Sequence, residues 1–546
     1  MPDEATYVMQ GPDEQTRVVH DYVESVFRRG REPMEPVGFT PDWQDQPSRY
    51  KTFLGVERFA LPRGTDQPLA SAARVLFGAP PEDAGESVWT LPSLAALLRL
   101  SYGVLDRRLR VSWNQDSDVR VLYPEALWGR GAASGGGMYP LEIYWVAGGG
   151  GPVTPGVYHY STAHHGFERL VAGDLTGEVR AACADAGDSD GYLLVTVRFW
   201  KNSFKYNSFC YHVVTQDAGA LLGCWELIAR GLGKPLRRAF WFDDERLNRL
   251  VGVGGDEESV LAVVPVPFTT GTVSAAGPAV PGRGVLVDRP SFERSARTVT
   301  FEQVQRVHQA VLADPHERPD AAQLRQLVPH VAADGGGIAL PEPLEDRLGR
   351  DTGEVMRIRR TSFGSFVGSR PLGLDELGTV LAGTMSGQDY LSDASPAGAG
   401  LTGLYVLANR VTGLPCGTYR YDRAGHRLQL VQERRLAEYL QRSYYLSNYN
   451  LDQTGAVLAI SGRWESTLRT CGSRGYRILN AEVGALAQTA YVASAALGVG
   501  CGVVLGFDNI AIDEAVGLDG TDERTFLFVL LGHERRDRAD FDYRLL

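Results

Sequence analysis

The sequence predicts an α+β protein made of two tandem copies of one unit behind an N-terminal extension. Three observations carry this prediction: an internal repeat that holds its register over long stretches, the same order of helix-like and strand-like segments in each copy, and the composition of an ordinary folded chain.

The repeat is visible in Ser134-Gly135-Gly136-Gly137-Met138-Tyr139-Pro140 and the apolar run after it. These align with Ser395-Pro396-Ala397-Gly398-Ala399-Gly400 and its own apolar run at an offset of 261. The same offset places Gly156, Tyr158 and Tyr160 on Gly417, Tyr419 and Tyr421, and His165 on His426. After a drift of four residues the register resumes at 265, with Tyr211, Asp217, Gly219 and Phe242-Asp243 falling on Tyr476, Glu482, Gly484 and Phe507-Asp508.

Within each copy a helix (Leu94–Leu100; Leu374–Leu381) precedes the small-residue turn. An apolar strand (Leu141–Val146; Leu404–Leu407) and a Tyr-x-Tyr hairpin follow. Then come a second strand (Tyr192–Val197; Ala456–Ile460), a long apolar helix (Ala218–Ala229; Gly484–Leu497) and a buried strand (Leu261–Val266; Phe526–Leu531). The predicted organisation is an N-terminal extension over 1–88, a first copy over 89–267, a linker over 268–350 and a second copy over 351–546. The linker is rich in Gly, Pro and Ser over Thr269–Gly284 and becomes helical over Phe301–Leu312.

Apolar residues make up 44% of the 546 and charged residues 22%, which excludes a disordered chain. No apolar run reaches the length of a membrane span, and Met1-Pro2-Asp3-Glu4 does not resemble a secretion signal, so the expected location is the cytoplasm. A net charge of −11 without a basic cluster argues against nucleic acid and membrane surfaces as partners. The six cysteines are scattered and read as reduced core residues. His164, His165 and His426 lack further ligands at metal spacing, so no metal is expected, and Tyr158, Tyr160, Tyr419 and Tyr421 read as hairpin packing. Only Lys51, Lys201, Lys205 and Lys234 are lysines among 55 basic residues. A retained lysine in such a chain suggests a need for a titratable amine.

Several motifs stand in a fixed order in the second copy: Arg359-Arg360-Thr361-Ser362-Phe363, Pro371-Leu372-Gly373-Leu374-Asp375-Glu376-Leu377, the Ser395 turn, Arg474-Gly475-Tyr476-Arg477 and Gly506-Phe507-Asp508. This set resembles the nitroreductase superfamily. The Tyr-x-Tyr hairpin and the Arg-Gly-Tyr-Arg run resemble its SagB/ThcOx-type azoline dehydrogenase branch, as does Asp42-Trp43 to Tyr50-Lys51 in the extension. The resemblance covers both copies, about two thirds of the chain. It implies that two nitroreductase-like units pair with FMN in their interface, here as an intramolecular pseudo-dimer, either monomeric or within a higher oligomer. It further implies conversion of thiazolines or oxazolines to azoles in a ribosomally made peptide, with oxygen as electron acceptor. The implied partners are the azoline-containing precursor peptide and a YcaO-type cyclodehydratase complex.

The copies diverge in a way that assigns roles. Where the second copy has Arg359-Arg360 and His533-Glu534-Arg535-Arg536, the first has the neighbourhood of Arg74 and Pro267-Phe268-Thr269-Thr270, so the phosphate grip is expected only from the second. The first copy keeps the richer glycine turn and Lys205-Tyr206, where the second reads Thr470-Cys471. A Lys-Tyr pair in this segment is the catalytic element of the branch. One working site is therefore expected. Arg359, Arg360, Ser362, Gly506 and Arg535 would come from the second copy, and Ser134, Gly135, Gly136, Lys205 and Tyr206 from the first. The mirror-related site is expected to be empty. Lys205 or Tyr206, the latter made more acidic by its neighbour, would serve as general base. The alternatives are an FMN oxidase desaturating another amino-acid-derived ring and, in a different class, a non-catalytic scaffold that binds peptide or partner enzymes.

Overall fold

The computed structural model describes residues 14–65, 68–79, 88–110, 125–183, 186–234, 236–269, 287, 289–314, 316–329, 336–390, 392–395, 400–535 and 540–545. Met1–Glu4, most of the Gly/Pro/Ser-rich linker, Pro396–Gly398 of the second turn and Arg536 lie outside the described residues.

Each copy folds around an antiparallel sheet. In the first the strand order is Glu57–Ala60, Gly166–Ala172, Gly156–Ser161, Leu141–Ala147, Gly191–Arg198 and Glu258–Pro265. In the second it is Ile338–Ala339, Arg427–Glu433, Gly417–Asp422, Thr402–Ala408, Ala456–Arg463, Glu523–Gly532 and Gly500–Val504. Leu141–Ala147 and Thr402–Ala408 are buried along their whole length, which is why both read as unbroken apolar runs rather than alternating ones.

The two hairpins repeat in atomic detail. Tyr160 Oη bonds His165 Nδ1 at 3.0 Å and Tyr421 Oη bonds His426 Nδ1 at 2.8 Å. Each Nε2 then meets a backbone carbonyl, of Pro62 or Pro341, at 2.9 Å. Both histidines take left-handed φ values, 48° and 44°, at the hairpin turn. The Tyr-x-Tyr motif and its histidine are thus hairpin structure, and no cluster able to hold a metal exists among the described residues.

The copies meet through the two long helices, Cys210–Gly231 and Arg474–Leu497. Gly219 and Gly484, equivalent in the repeat, sit at the crossing. A β-carbon on Gly219 would lie 1.9 Å from the Ala481 carbonyl oxygen, and one on Gly484 would lie 2.0 Å from that of Gln216. Around this contact Gln216 donates to Asn480 Oδ1 at 2.8 Å and Tyr476 Oη bonds His212 Nδ1 at 2.6 Å. The Arg-Gly-Tyr-Arg run works at the same seam: Arg474 donates to the Phe240 carbonyl at 2.9 Å and Arg477 pairs with Asp244 at 3.0 Å.

The correspondence also reaches upstream of residue 89, into the segment assigned to the extension. Helices Ala72–Phe77 and Thr352–Ile358 are equivalent, capped by Ser71 and Asp351, and they exchange bonds across the pseudo-twofold axis. Ala72 N donates to the Arg350 carbonyl at 2.8 Å, and Thr352 N to that of Ala70 at 3.1 Å. What remains of the extension is a clamp. Helix Glu14–Arg28 buries Val19, Tyr22, Val23, Val26 and Phe27. Tyr22 Oη donates to the Ser208 carbonyl of the first copy at 2.8 Å, while Phe27 packs edge-on against Trp464 and Phe526 of the second. The helix expected over Phe301–Leu312 is present as Glu302–Leu312 and packs on this clamp. Strand Asp540–Arg544 crosses back to pair with Asp106–Arg110 of the first copy.

Replacing Gly219 or Gly484 with Ala is expected to destabilise the fold by on the order of 1–3 kcal/mol, because the added methyl meets backbone rather than a movable side chain. Urea unfolding monitored by circular dichroism checks this. An unchanged midpoint would show that the helices can separate without cost.

Candidate functional site

The first copy's side of the seam is a turn seated against a helix end. Gly136 and Gly137 have φ of 60° and 69°, a conformation that favours glycine, and Tyr139 follows at 51°. The turn is held from below by Asp217 on the long helix: Ser134 Oγ donates to one carboxylate oxygen at 2.6 Å and Gly135 N to the other at 2.7 Å. Ser134 Oγ also accepts from Tyr139 N at 2.9 Å, so this hydroxyl is spent on the turn itself.

Lys205 and Tyr206 end helix Phe199–Tyr206 directly over the turn. Lys205 Nζ lies 3.4 Å from the Gly136 carbonyl oxygen. A β-carbon on Gly136 would stand 2.5 Å from Tyr206 Oη and 2.6 Å from Lys205 Nζ, so both side-chain ends lie directly on this glycine, whose φ of 60° favours glycine in its own right. The helix is anchored by Lys201, whose buried ammonium meets Glu142 at 3.3 Å; burial lowers it to about 8, with Glu142 opposing. Lys51 is likewise buried, 2.6 Å from Glu258 and 2.7 Å from Tyr144 Oη. The scarcity of lysine therefore marks two buried structural ion pairs as well as Lys205. It does not by itself single out a titratable amine.

The second copy supplies the opposite side. Arg359 is buried over the Tyr491 ring, and its guanidinium donates to the carbonyls of Gly131 at 2.7 Å and Arg130 at 2.9 Å. This arginine clamps the first copy's turn to the second copy. Arg360, with its side chain 42% exposed, lies 3.6 Å from Glu534. Ser362 N donates to the Cys501 carbonyl at 2.8 Å, which sets Ser362 beside Gly500. Arg535 is exposed and its N donates to the Ser365 carbonyl at 3.0 Å, so the two basic segments run side by side. Gly506 accepts from Tyr445 N at 2.8 Å. Thr361 Oγ1 meets Tyr491 Oη at 2.9 Å, and that hydroxyl also accepts from Val503 N at 3.0 Å.

Five contributors were missed by sequence reasoning. Asp217 was visible only as a register mark opposite Glu482. Arg130 is buried among the Tyr102 and Tyr139 rings, with Nη1 lacking a hydrogen-bond partner among the described residues. Arg29, from the clamp helix region, lies 4.5 Å from the centre of the Phe209 ring and donates to Asn509 Oδ1 at 2.6 Å. Tyr444 and Tyr449 are buried second-copy residues near Tyr206: Tyr444 raises the Tyr206 phenol, and Tyr206 in turn raises that of Tyr449.

Burial pushes the Asp217 carboxyl up to about 7 against the pull of Ser134 and Gly135; its counterpart Glu482 is likewise pushed up to about 7 by burial. Burial, then the Asp217 charge, then Tyr444, raises the Tyr206 phenol. The net shift runs against the expected more acidic Tyr206, because loss of water and a neighbouring carboxylate both favour the neutral phenol.

At the mirror-related interface Arg238 lies 5.0 Å from the Tyr390 ring centre, and Asp393 accepts from Phe240 N and Trp241 N at 2.9 to 3.0 Å. A cavity of about 520 Å³ opens beside it, lined by Arg74, Arg230, Lys234, Thr90 and Ser93 among others. This cavity is remote from Lys205 in its lining, so cavity size alone does not locate the Lys205–Tyr206 site.

The sequence profile described as the nitroreductase family matches residues 370–533, within the second copy. A relative from Methanocaldococcus jannaschii named "Putative nitroreductase MJ1384" is 30% identical over 166 residues, covering 30% of this chain and 80% of the relative. The chain belongs to the nitroreductase family. A crystal structure titled as that of a putative nitroreductase from Anabaena variabilis shares the fold at a TM-score of 0.67 and 22% identity, covering 95% of this chain and 99% of that one. A chain of the E. coli microcin synthetase McbBCD complex matches 47% of this chain and 94% of its own length at 16% identity, with a TM-score of 0.29 that carries no functional argument. The protein is accordingly a nitroreductase-family oxidoreductase, and members of this family typically bind a flavin. Among the described residues no helix is long and apolar enough to cross a membrane.

The raised Asp217 carboxyl sets a pH dependence. Its folded value of about 7 lies above the unfolded value of about 3.9, so the native state holds the proton more tightly and stability falls as pH rises from about 4 to about 7. Asp217→Asn is expected to flatten this slope by up to about 1.4 kcal/mol per pH unit within that window. Urea midpoints measured across it test the expectation; an unaltered slope would show that Asp217 is ionised throughout.

Proposed function

We propose that the protein is an FMN-dependent azoline dehydrogenase that oxidises thiazoline or oxazoline rings in a ribosomally synthesised peptide to azoles. The observation that carries the reading is the seating of Lys205 and Tyr206 on the Gly136 turn, which Arg359 of the other copy clamps from across the seam.

The donors at the seam suit a flavin mononucleotide. Arg360 and Arg535, on adjacent segments, offer guanidinium groups for a phosphate, whereas Arg359 keeps its clamping role. Ser362 lies beside them at the Gly500 end of the edge strand, and Gly506 follows the other end of that strand. Gly137, beside which an added β-carbon would meet nothing within 4 Å, leaves open space next to Ser134, Gly135 and Gly136 for close approach. The unpartnered Arg130 Nη1 adds a buried donor in the same neighbourhood. Bound FMN would supply the hydride acceptor.

The chain's own residues then manage the proton. Tyr206, held neutral, donates a hydrogen bond and orients the ring. Lys205 takes the proton from the ring carbon once ring and cofactor have excluded water from its amine. Over a full cycle the ring loses a hydride and a proton, and oxygen is reduced to hydrogen peroxide. The partners in this reading are an azoline-bearing precursor peptide and a YcaO-type cyclodehydratase that installs the ring.

The protein as purified is expected to be yellow with a single FMN per chain. It should remove a pair of hydrogens from each ring of a synthetic thiazoline peptide, read by mass spectrometry. Lys205→Ala should retain flavin and lose about 100-fold or more in kcat. Full activity in both Lys205→Ala and Tyr206→Phe would remove the pair from the chemistry. A colourless protein that also refuses added FMN would instead leave a non-catalytic scaffold.

A further inference from the structure

The four-residue drift in the repeat has a definite location. Helices Thr176–Ala182 and Ala437–Ser443 correspond at the early offset, and strands Gly191–Arg198 and Ala456–Arg463 at the late one. The extra residues therefore lie in the connection 444–455, whose first-copy counterpart, 183–190, is shorter and holds no aromatic residue.

The longer connection is built into the Lys205–Tyr206 seam. On one side Tyr444 bridges to Phe507, Tyr445 N donates to the Gly506 carbonyl at 2.8 Å, and Asp508 N donates to that of Ser443 at 2.8 Å. On the other, Tyr449 packs against Phe363 with ring centres 5.5 Å apart, and Asn450 Nδ2 donates to the Phe366 carbonyl at 2.9 Å. Inside the connection Tyr444 Oη donates to Asn448 Oδ1 at 2.5 Å, and the Tyr444 and Tyr449 rings meet edge to face. It thus joins the Ser362–Phe363 segment to the Gly506 turn, with both tyrosines near Tyr206. Between its buried tyrosines it leaves two large apolar side chains in water, Tyr445 at 42% and Leu446 at 58% exposure, with Leu446 against Gly506. The clamp region meets this rim: Gly30 lies against the Tyr445 hydroxyl.

We propose that the connection 444–449 is the substrate wall of this site, with Leu446 and Tyr445 covering the peptide beside the reacting ring and Tyr444 and Tyr449 shaping the slot for the ring. The proposal rests on the azoline reading above and deepens it by naming where the peptide lies. An exposed apolar pair fixed by backbone bonds at the edge of a site is a surface that gains by being covered. The wall exists in one copy only, so it equips one of the two pseudo-equivalent interfaces for substrate.

The test uses the full chain, loaded with FMN, and a fluorescein-labelled synthetic peptide carrying one thiazoline. Leu446→Ala and Leu446→Asp change an exposed side chain and should keep the fold and the flavin content. Leu446→Ala is expected to weaken peptide binding, by anisotropy, about tenfold and to raise KM by more than it lowers kcat; the aspartate should do more. Binding and KM unchanged in both variants overturns the wall while leaving the azoline reading intact. Leu446-dependent binding without turnover by the unaltered protein supports the wall and overturns the azoline reading. A peptide neither bound nor oxidised by the unaltered protein overturns both.

Discussion

The contact on which the rest of the molecule depends is the crossing of the two long helices, where two glycines let backbone lie on backbone. Its importance comes from what those helices carry. Within a few residues of the crossing, Asp217 holds Ser134 and Gly135. From the partner helix Gln488 accepts from Ala133 N at 2.9 Å and donates to the Gly131 carbonyl at 3.0 Å, and Tyr491 holds Thr361 and Val503. Both walls of the seam hang from one rigid pair. A packed interface of this kind transmits small displacements rather than absorbing them, so the separation of turn and arginines follows from helix spacing more than from the loops themselves.

Joining two copies in one chain releases them from the identity that a symmetric dimer imposes. The structure shows which features remained under a common constraint. The Tyr–His hairpin locks, the glycines of the crossing, the paired helix caps Ser71 and Asp351, and the buried acids Asp217 and Glu482 occur twice. The features that differ lie toward the seam: Lys205-Tyr206 and the glycine-rich turn on one side, Arg359-Arg360 and the aromatic connection on the other. Duplicated parts build the frame, and divergent parts distinguish the two interfaces.

Much of the frame was legible in the sequence because it is periodic or repeated. The apolar strands, both long helices and the Tyr-x-Tyr hairpins announce themselves twice, and the linker helix has a clear amphipathic pattern. The upstream part of the first copy was not, since Ala72–Phe77 and Thr352–Ile358 share position but, of their residues, only Val75 and Val355. At the site, the glycine turn and Lys205-Tyr206 could be read because conformation or chemistry restricts those residue types. Arg130, Arg29 and Tyr449 could not, because their roles arise from contacts between segments far apart in the chain, and nothing in their own neighbourhoods marks them. Tyr206 shows the limit most directly: adjacency to Lys205 suggested an acidic phenol, whereas the fold surrounds it with apolar mass and a carboxylate.

Strand Asp540–Arg544 has a consequence for how the protein is made. It completes a sheet begun by Asp106–Arg110, so the first copy waits for a piece of chain that the ribosome delivers only after almost all of the second copy. Domains that fold during synthesis normally finish in order. Here the order is looped, and expression of the two copies as separate polypeptides would leave the earlier one with an open sheet edge until the later one arrived.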